Sequence, residues 1–219
     1  VAELRTEEEQ VEALKRWWKE NAVSLIAGVA IAVAGVVGWN AWQSYQDNQA
    51  TAASMRYQQL VNLAGTGNLE LANLEEARSL AQEIVTEHDS SLYADLARLL
   101  EARLAVQQDD LDGARSALQA VIDADRHAYL PGLARLRLAR LMLASGDAEA
   151  ALDTLESGIP DALAAQRADV RGDAYAALER RDEARDAWRE ALSLAEQRDQ
   201  PLFGVELKLD NLGMEEATL

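Results

Sequence analysis

From Ala22 to Trp39 the chain reads AVSLIAGVAIAVAGVVGW, eighteen residues in which Ser24 is the one polar side chain. No charge interrupts the longer stretch from Asn21 to Gln46. At ~1.5 Å per residue the apolar run measures roughly 27 Å as a helix, enough with its flanks to cross a bilayer. Beyond it the pattern changes. Apolar residues recur three or four apart, as in Leu92, Leu96, Leu99, Leu100, Leu104 and in Leu133, Leu136, Leu138, Leu141, the signal of amphipathic helices. Breaks at Gly65-Thr66-Gly67, Asp109-Asp110, Ser145-Gly146-Asp147, Gly158-Ile159-Pro160 and Pro201 cut this region into segments. Helices are predicted at roughly 47–63, 72–87, 91–107, 112–124, 130–144, 147–156, 162–178, 182–196 and 202–211. No strand is required. The expected class is all-α: a single N-terminal transmembrane helix followed by a helical repeat array.

The tryptophans agree with a span. Trp17 and Trp18 precede the apolar run, and Trp39 and Trp42 close it, with Tyr45 beyond. Amphipathic rings favour the headgroup level at both faces of a bilayer, and a helix buried in a soluble core gives no reason for such pairs. Lys15, Arg16 and Lys19 lie just before the span, with Arg5 further back, while Arg56 is the one basic residue in the twenty that follow Trp39. The positive-inside rule places residues 1–20 in the cytoplasm, residues 21–46 in and beside the membrane, and residues 47–219 on the far side. Ala32-Val33-Ala34 resembles a cleavage site but lies in the middle of the apolar run, so an uncleaved signal anchor is the better reading. Small residues Ala27, Ala30, Ala34, Gly38 and Ala41 share one side of the helix, where a second membrane helix could approach. The alternative is that alanine and glycine are simply common in such spans.

The far-side region repeats itself. LEEARSLAQ from Leu74, LDGARSALQ from Leu111, AEAALDTLE from Ala148 and RDEARDAWR from Arg181 align on Ala77, Ala114, Ala151 and Ala184, spaced 37, 37 and 33 residues apart. A period near 34 in paired helices is the tetratricopeptide pattern. The last unit fits it best, with Gly172, Tyr175, Ala184, Trp188 and Ala191 at the signature positions. Earlier units carry Ala102 and Ala139 where that glycine stands, which predicts degenerate repeats.

Composition narrows the function. Lys and Arg number 21 against 38 Asp and Glu, a net charge of −17, and residues 47–219 alone hold a net −15. A binder of phosphate backbones needs the opposite sign, so no nucleic-acid partner is expected. There is no cysteine, and His88 and His127 are the two histidines. Disulfides, thiolate zinc sites and cysteine nucleophiles are excluded, and neither a metal nor another cofactor is expected. Gln108-Asp109-Asp110-Leu111-Asp112-Gly113 has the glycine of a calcium loop, but Gln108 and Gln119 stand where carboxylates belong, so it reads as a helix–helix turn. Gly65-Thr66-Gly67 lacks the Lys-Ser/Thr of a phosphate loop, no serine sits in a Gly-x-Ser-x-Gly elbow, and both histidines fall at helix ends as expected for exposed caps. No residue supports an enzyme assignment.

What remains is surface. Counting from the anchor alanines, the first helix of each pair presents Leu96, Leu99, Arg103 and Val106, then Leu133, Leu136, Arg140 and Leu143, then Gln166, Asp169 and Asp173. Arg103 and Arg140 lie 37 residues apart at equivalent places. The expected partner-binding groove therefore comprises Leu96, Leu99, Arg103, Leu133, Leu136, Arg140, Asp169 and Asp173. The competing reading makes the leucines ordinary core and the arginines solubilising.

Residues Glu9 to Trp42 (EQVEALKRWWKENAVSLIAGVAIAVAGVVGWNAW), with RLAR at Arg137–Arg140 and KLDNLG at Lys208–Gly213, resemble the YfgM-type ancillary subunits of the SecYEG translocon, bitopic inner-membrane proteins of Gram-negative bacteria. The resemblance implies a periplasmic tetratricopeptide domain that associates with the translocon and with the chaperone PpiD and assists emerging secreted or membrane client proteins. It further implies a cytoplasmic tail linked to envelope-stress regulation. Periodicity and spacing alone support an anchored repeat scaffold in contact with lipid. A cell-division or envelope-biogenesis scaffold recruiting soluble enzymes, and a tethered enzyme with an unrecognised site, stand as alternatives.

Overall fold

The structure, a computed structural model, describes residues 7–65 and 71–217. Arg5, Thr66 and Gly67 lie outside them. The described residues form α1 (Glu7–Ala64), α2 (Leu71–Glu87), α3 (Leu92–Gln107), α4 (Leu111–Ala124), α5 (Leu130–Ala144), α6 (Ala148–Leu155), α7 (Ala164–Ala177), α8 (Arg181–Gln197) and α9 (Val205–Ala217). A 3₁₀ turn at Asp161–Leu163 leads into α7, and no strand occurs among the described residues. Packing divides the chain into two units, up to Thr51 and from Ala52.

In the first unit α1 carries the apolar run. An eighteen-residue window within it has a mean hydropathy of 2.2, and none of that window is buried. Val23, Ile26, Ile31 and Trp39 are all exposed. A helix with apolar side chains all round and no protein against them is built for a hydrocarbon solvent. Asn21 Nδ2 donates to the Trp17 carbonyl at 2.9 Å, and the rings of Trp39 and Trp42 stand 5.3 Å apart. One expectation is corrected here. The span and the helix expected at roughly 47–63 are one continuous helix: Asp47, Asn48 and Gln49 are poor helix formers or polar, but neither glycine nor proline intervenes, and exposed polar residues do not stop a helix.

The second unit is a stack of helix pairs. The end of α1 pairs with α2, α3 with α4, α5 with α6 and α7 with α8, and α9 closes on α8. The anchor alanines Ala77, Ala114, Ala151 and Ala184 have no exposed surface. Each sits in the second helix of its pair, where a methyl group lets two backbones close up.

The turns within the last three pairs share one geometry. Asp109, Gly146 and Glu179 adopt positive φ, and the following amides of Asp110, Asp147 and Arg180 each donate 2.9 Å back to the carbonyls of Ala105, Met142 and Tyr175. This left-handed cap stops the first helix and satisfies carbonyls it would otherwise orphan. Asp110 and Asp147 then cap the next helix through the amides of Gly113 and Ala150. The Asp109–Gly113 segment is thus a helix–helix turn, with Asp110 also 3.2 Å from Arg78.

Degenerate repeats are explained by paired side-chain sizes. A Cβ on Gly172 would lie 2.4 Å from the Trp188 ring. Sixteen residues separate Gly172 from Trp188, and the same spacing links Ala139 to Leu155 and Ala102 to Leu118. Each of these Ala–Leu pairs shares a core cluster. Where the large partner is leucine, alanine fits; where it is tryptophan, only glycine does. The histidines are not exposed caps: both are half-buried, with Nε2 of each removed from solvent. The last helix also differs, beginning at Val205 and not at residue 202 because Gly204, at φ +86°, turns the chain after Pro201.

Candidate partner-binding face

Helices α3, α5 and α7, the first members of their pairs, pack in sequence against one another. Along them the expected groove residues divide into two groups. Leu99 and Leu136 are buried, at 4% and 1% exposure, and Leu96 and Leu133 pack half-buried against the same cores. The first two therefore stabilise the stack and offer nothing to a ligand. Arg103 and Arg140 are exposed.

Asp169 is buried and Asp173 half-buried. Both are engaged from α9: Lys208 Nζ donates to Asp169 Oδ1 at 2.7 Å and to Asp173 Oδ1 at 2.6 Å. Trp188 Nε1 donates to Asp173 Oδ1 at 3.1 Å, and Arg140 Nη2 stands 4.0 Å from Asp169 Oδ2. One ammonium serves two carboxylates. Burial, reinforced by the neighbouring Asp169 charge, holds the Asp173 carboxyl above its ordinary range despite the pull of Lys208. The acids are thus occupied internally, chiefly by Lys208, with Arg140 at the limit of ion-pair distance from Asp169.

A residue the periodicity passed over joins the arginines. Arg137, one turn before Arg140, donates from Nη1 to the Leu99 carbonyl of α3 at 3.2 Å. Burial lowers its pKa, and the charges of Arg140 and Arg103 push in the same direction, while Tyr57 and Tyr129 oppose. Tyr57, on the last turns of α1, stacks obliquely on Tyr93 of α3 with centroids 5.8 Å apart. Burial raises its hydroxyl pKa against the field of Arg137. The visible signal for Arg137 was its three-residue spacing from Arg140, which sets both on one helix face.

The small residues of the first unit, Ala27, Ala30, Ala34, Gly38 and Ala41, are exposed on α1, and a Cβ on Gly38 would meet nothing within 4 Å. Among the described residues no group of three or more His, Cys, Asp or Glu side chains could hold a metal.

The tetratricopeptide repeat-like domain family model matches residues 15–214. An ancillary SecYEG translocon subunit of Escherichia coli is 34% identical over 182 residues, covering 83% of this chain and 85% of that one. The chain belongs to the family of ancillary SecYEG translocon subunits. Relatives of the same name from Haemophilus influenzae and Aggregatibacter actinomycetemcomitans are 33% and 35% identical, each alignment spanning 48% of both chains. For these two, the chain spans about half of the relative's length. The crystal structure of MamA protein matches with a TM-score of 0.51 at 20% identity, over 71% of this chain and 83% of that one. That likeness supports the repeat fold alone. Fold and family together point to protein interaction and away from catalysis.

Proposed function

We propose that this chain is a single-pass inner-membrane subunit that attaches to the SecYEG translocon and holds its repeat array in the periplasm, where it docks the chaperone PpiD and assists proteins as they emerge. The observation that carries this reading is the 34% identity with the Escherichia coli ancillary subunit across 83% of the chain. The exposed apolar helix supports the anchor, and Lys15, Arg16 and Lys19 before it support a cytoplasmic N-terminus. Copurification after mild detergent extraction tests the role. SecY and PpiD are the expected companions; envelope synthases in their place would favour the envelope-biogenesis scaffold.

Two further results are expected. Alkaline phosphatase fused after Leu219 is active, and a stable but inactive fusion would refute the orientation. Replacing Ala34 and Gly38 together with leucine leaves insertion intact but sharply reduces recovered SecY, because close helix approach in lipid depends on small side chains. Undiminished SecY would reduce the stripe to composition.

A further inference from the structure

Acids outnumber bases nearly two to one in this chain, and at least half of the array's arginines pair with one. Arg56 pairs with Glu83 and Glu87, Arg78 with Asp110, Arg98 and Arg126 with Asp95, and Arg171 with Glu190. Arg103 and Arg137 are among those that have no carboxylate partner within the described residues, Arg103 on α3 and Arg137 on α5 with Arg140. The contact Arg137 makes is with a backbone carbonyl, and Arg140 is 4.0 Å from a carboxylate that Lys208 holds at 2.7 Å. The three guanidiniums come from two adjacent helices: Arg137 reaches from α5 to the Leu99 carbonyl of α3, and Arg103 stands one turn beyond Leu99, so their charges act on one another. Like charges brought together raise the free energy of the empty face, and an anion seated among them would relieve it.

We propose that Arg103, Arg137 and Arg140 form a carboxylate-recognition site for an acidic peptide segment. The inference rests on the array being a protein-interaction domain and names the chemistry of its partner. A guanidinium fork matches a carboxylate with two parallel hydrogen bonds. Packed helices stand roughly 8–10 Å apart, and alternate residues of an extended chain rise roughly 7 Å on one side, so one short acidic stretch reaches both helices. Half-buried Leu96, Leu133, Tyr57 and Tyr93 nearby offer the apolar and aromatic area that a peptide, unlike a small anion, can cover. The net −15 of the array repels such a ligand over most of its surface, so binding there has to be local.

The probe is a hexaglutamate peptide, amidated at its C-terminus and labelled with fluorescein, titrated by anisotropy against the full chain in neutral-lipid nanodiscs. Binding is expected for hexaglutamate and not for hexaglutamine, and it weakens at least tenfold in the double variant Arg103→Gln/Arg140→Gln at unchanged melting temperature. Raising salt from 50 to 300 mM should weaken the wild type comparably, a reading that needs no variant to fold. No binding, or equal binding by the double variant, overturns the site. Displacement of the peptide by glycerol phosphate at peptide-like concentrations overturns the peptide assignment in favour of a lipid headgroup. A chain that recovers SecY yet ignores hexaglutamate defeats this inference alone, whereas one that binds hexaglutamate without recovering SecY defeats only the translocon reading.

Discussion

Trp188→Ala is expected to destabilise the repeat array by ~3–5 kcal/mol, the cost of deleting a large buried aromatic side chain. The ring is 5% exposed and shares a core with Ala184, Val205 and Leu212. It fills the space that Gly172 leaves, and position 172 has no side chain to take its place. The truncation also removes the indole N–H from Asp173 and the ring face from Lys208, whose Nζ lies 5.8 Å from the centroid. α9 is docked through these same groups, so part of the loss should appear as early release of the last helix. Urea denaturation of the detergent-solubilised chain, followed by circular dichroism, measures the effect. Trp188→Phe, which keeps most of the apolar area but not the N–H, should lose less. A shift below about 1 kcal/mol for Trp188→Ala would place the ring outside the core.

Much of this arrangement was legible in the sequence because it is local. Helix bounds followed from 3.6-residue periodicity and from turn residues such as Asp109-Asp110 and Gly146-Asp147, and the anchor alanines fixed which helices pair. The run-on of α1 was not legible, since the polar Asp47-Asn48-Gln49 reads equally as the end of a span or as its exposed continuation. Periodicity also failed to separate groove from core. In a stacked array the first helix of each pair packs on its partner and on the next pair, so Leu99 and Leu136 share helices with the exposed Arg103 and Arg140 and yet are buried. Lys208 illustrates a second limit. Its bond to Asp169 joins residues 39 apart, on elements whose closeness depends on how α9 folds back. Arg137 lay within reach, one turn from Arg140, but its isolation from carboxylates depends on every neighbouring helix.

Asp95 was equally invisible as a lone acid in a predicted helix, and its replacement should have an effect as large as that of Trp188. It is 1% exposed, the most buried charged side chain described. Arg98 reaches its Oδ1 at 3.0 Å and Arg126 at 3.4 Å, while His127 Nε2 stands 4.0 Å from Oδ2. Arg126 also donates to the Asp89 carbonyl. Arg126 thus ties the loop before α5 both to the loop before α3 and to Asp95 in the first turn of α3. Those are the two helices that carry Arg103, Arg137 and Arg140, so their relative setting depends on it. Removing one member of a buried ion pair strands the other, at a cost of ~3–5 kcal/mol, whereas removing both can be nearly neutral. Asp95→Ala should therefore destabilise strongly, and adding Arg98→Leu, whose side chain is 14% exposed in the wild type, should recover a good part of the loss. Full additivity of the two substitutions would show that the pair is not coupled. If the network sets the distance between the arginines, the double variant, although folded, should bind hexaglutamate more weakly than the wild type. Unchanged affinity would mean that helix packing alone positions them.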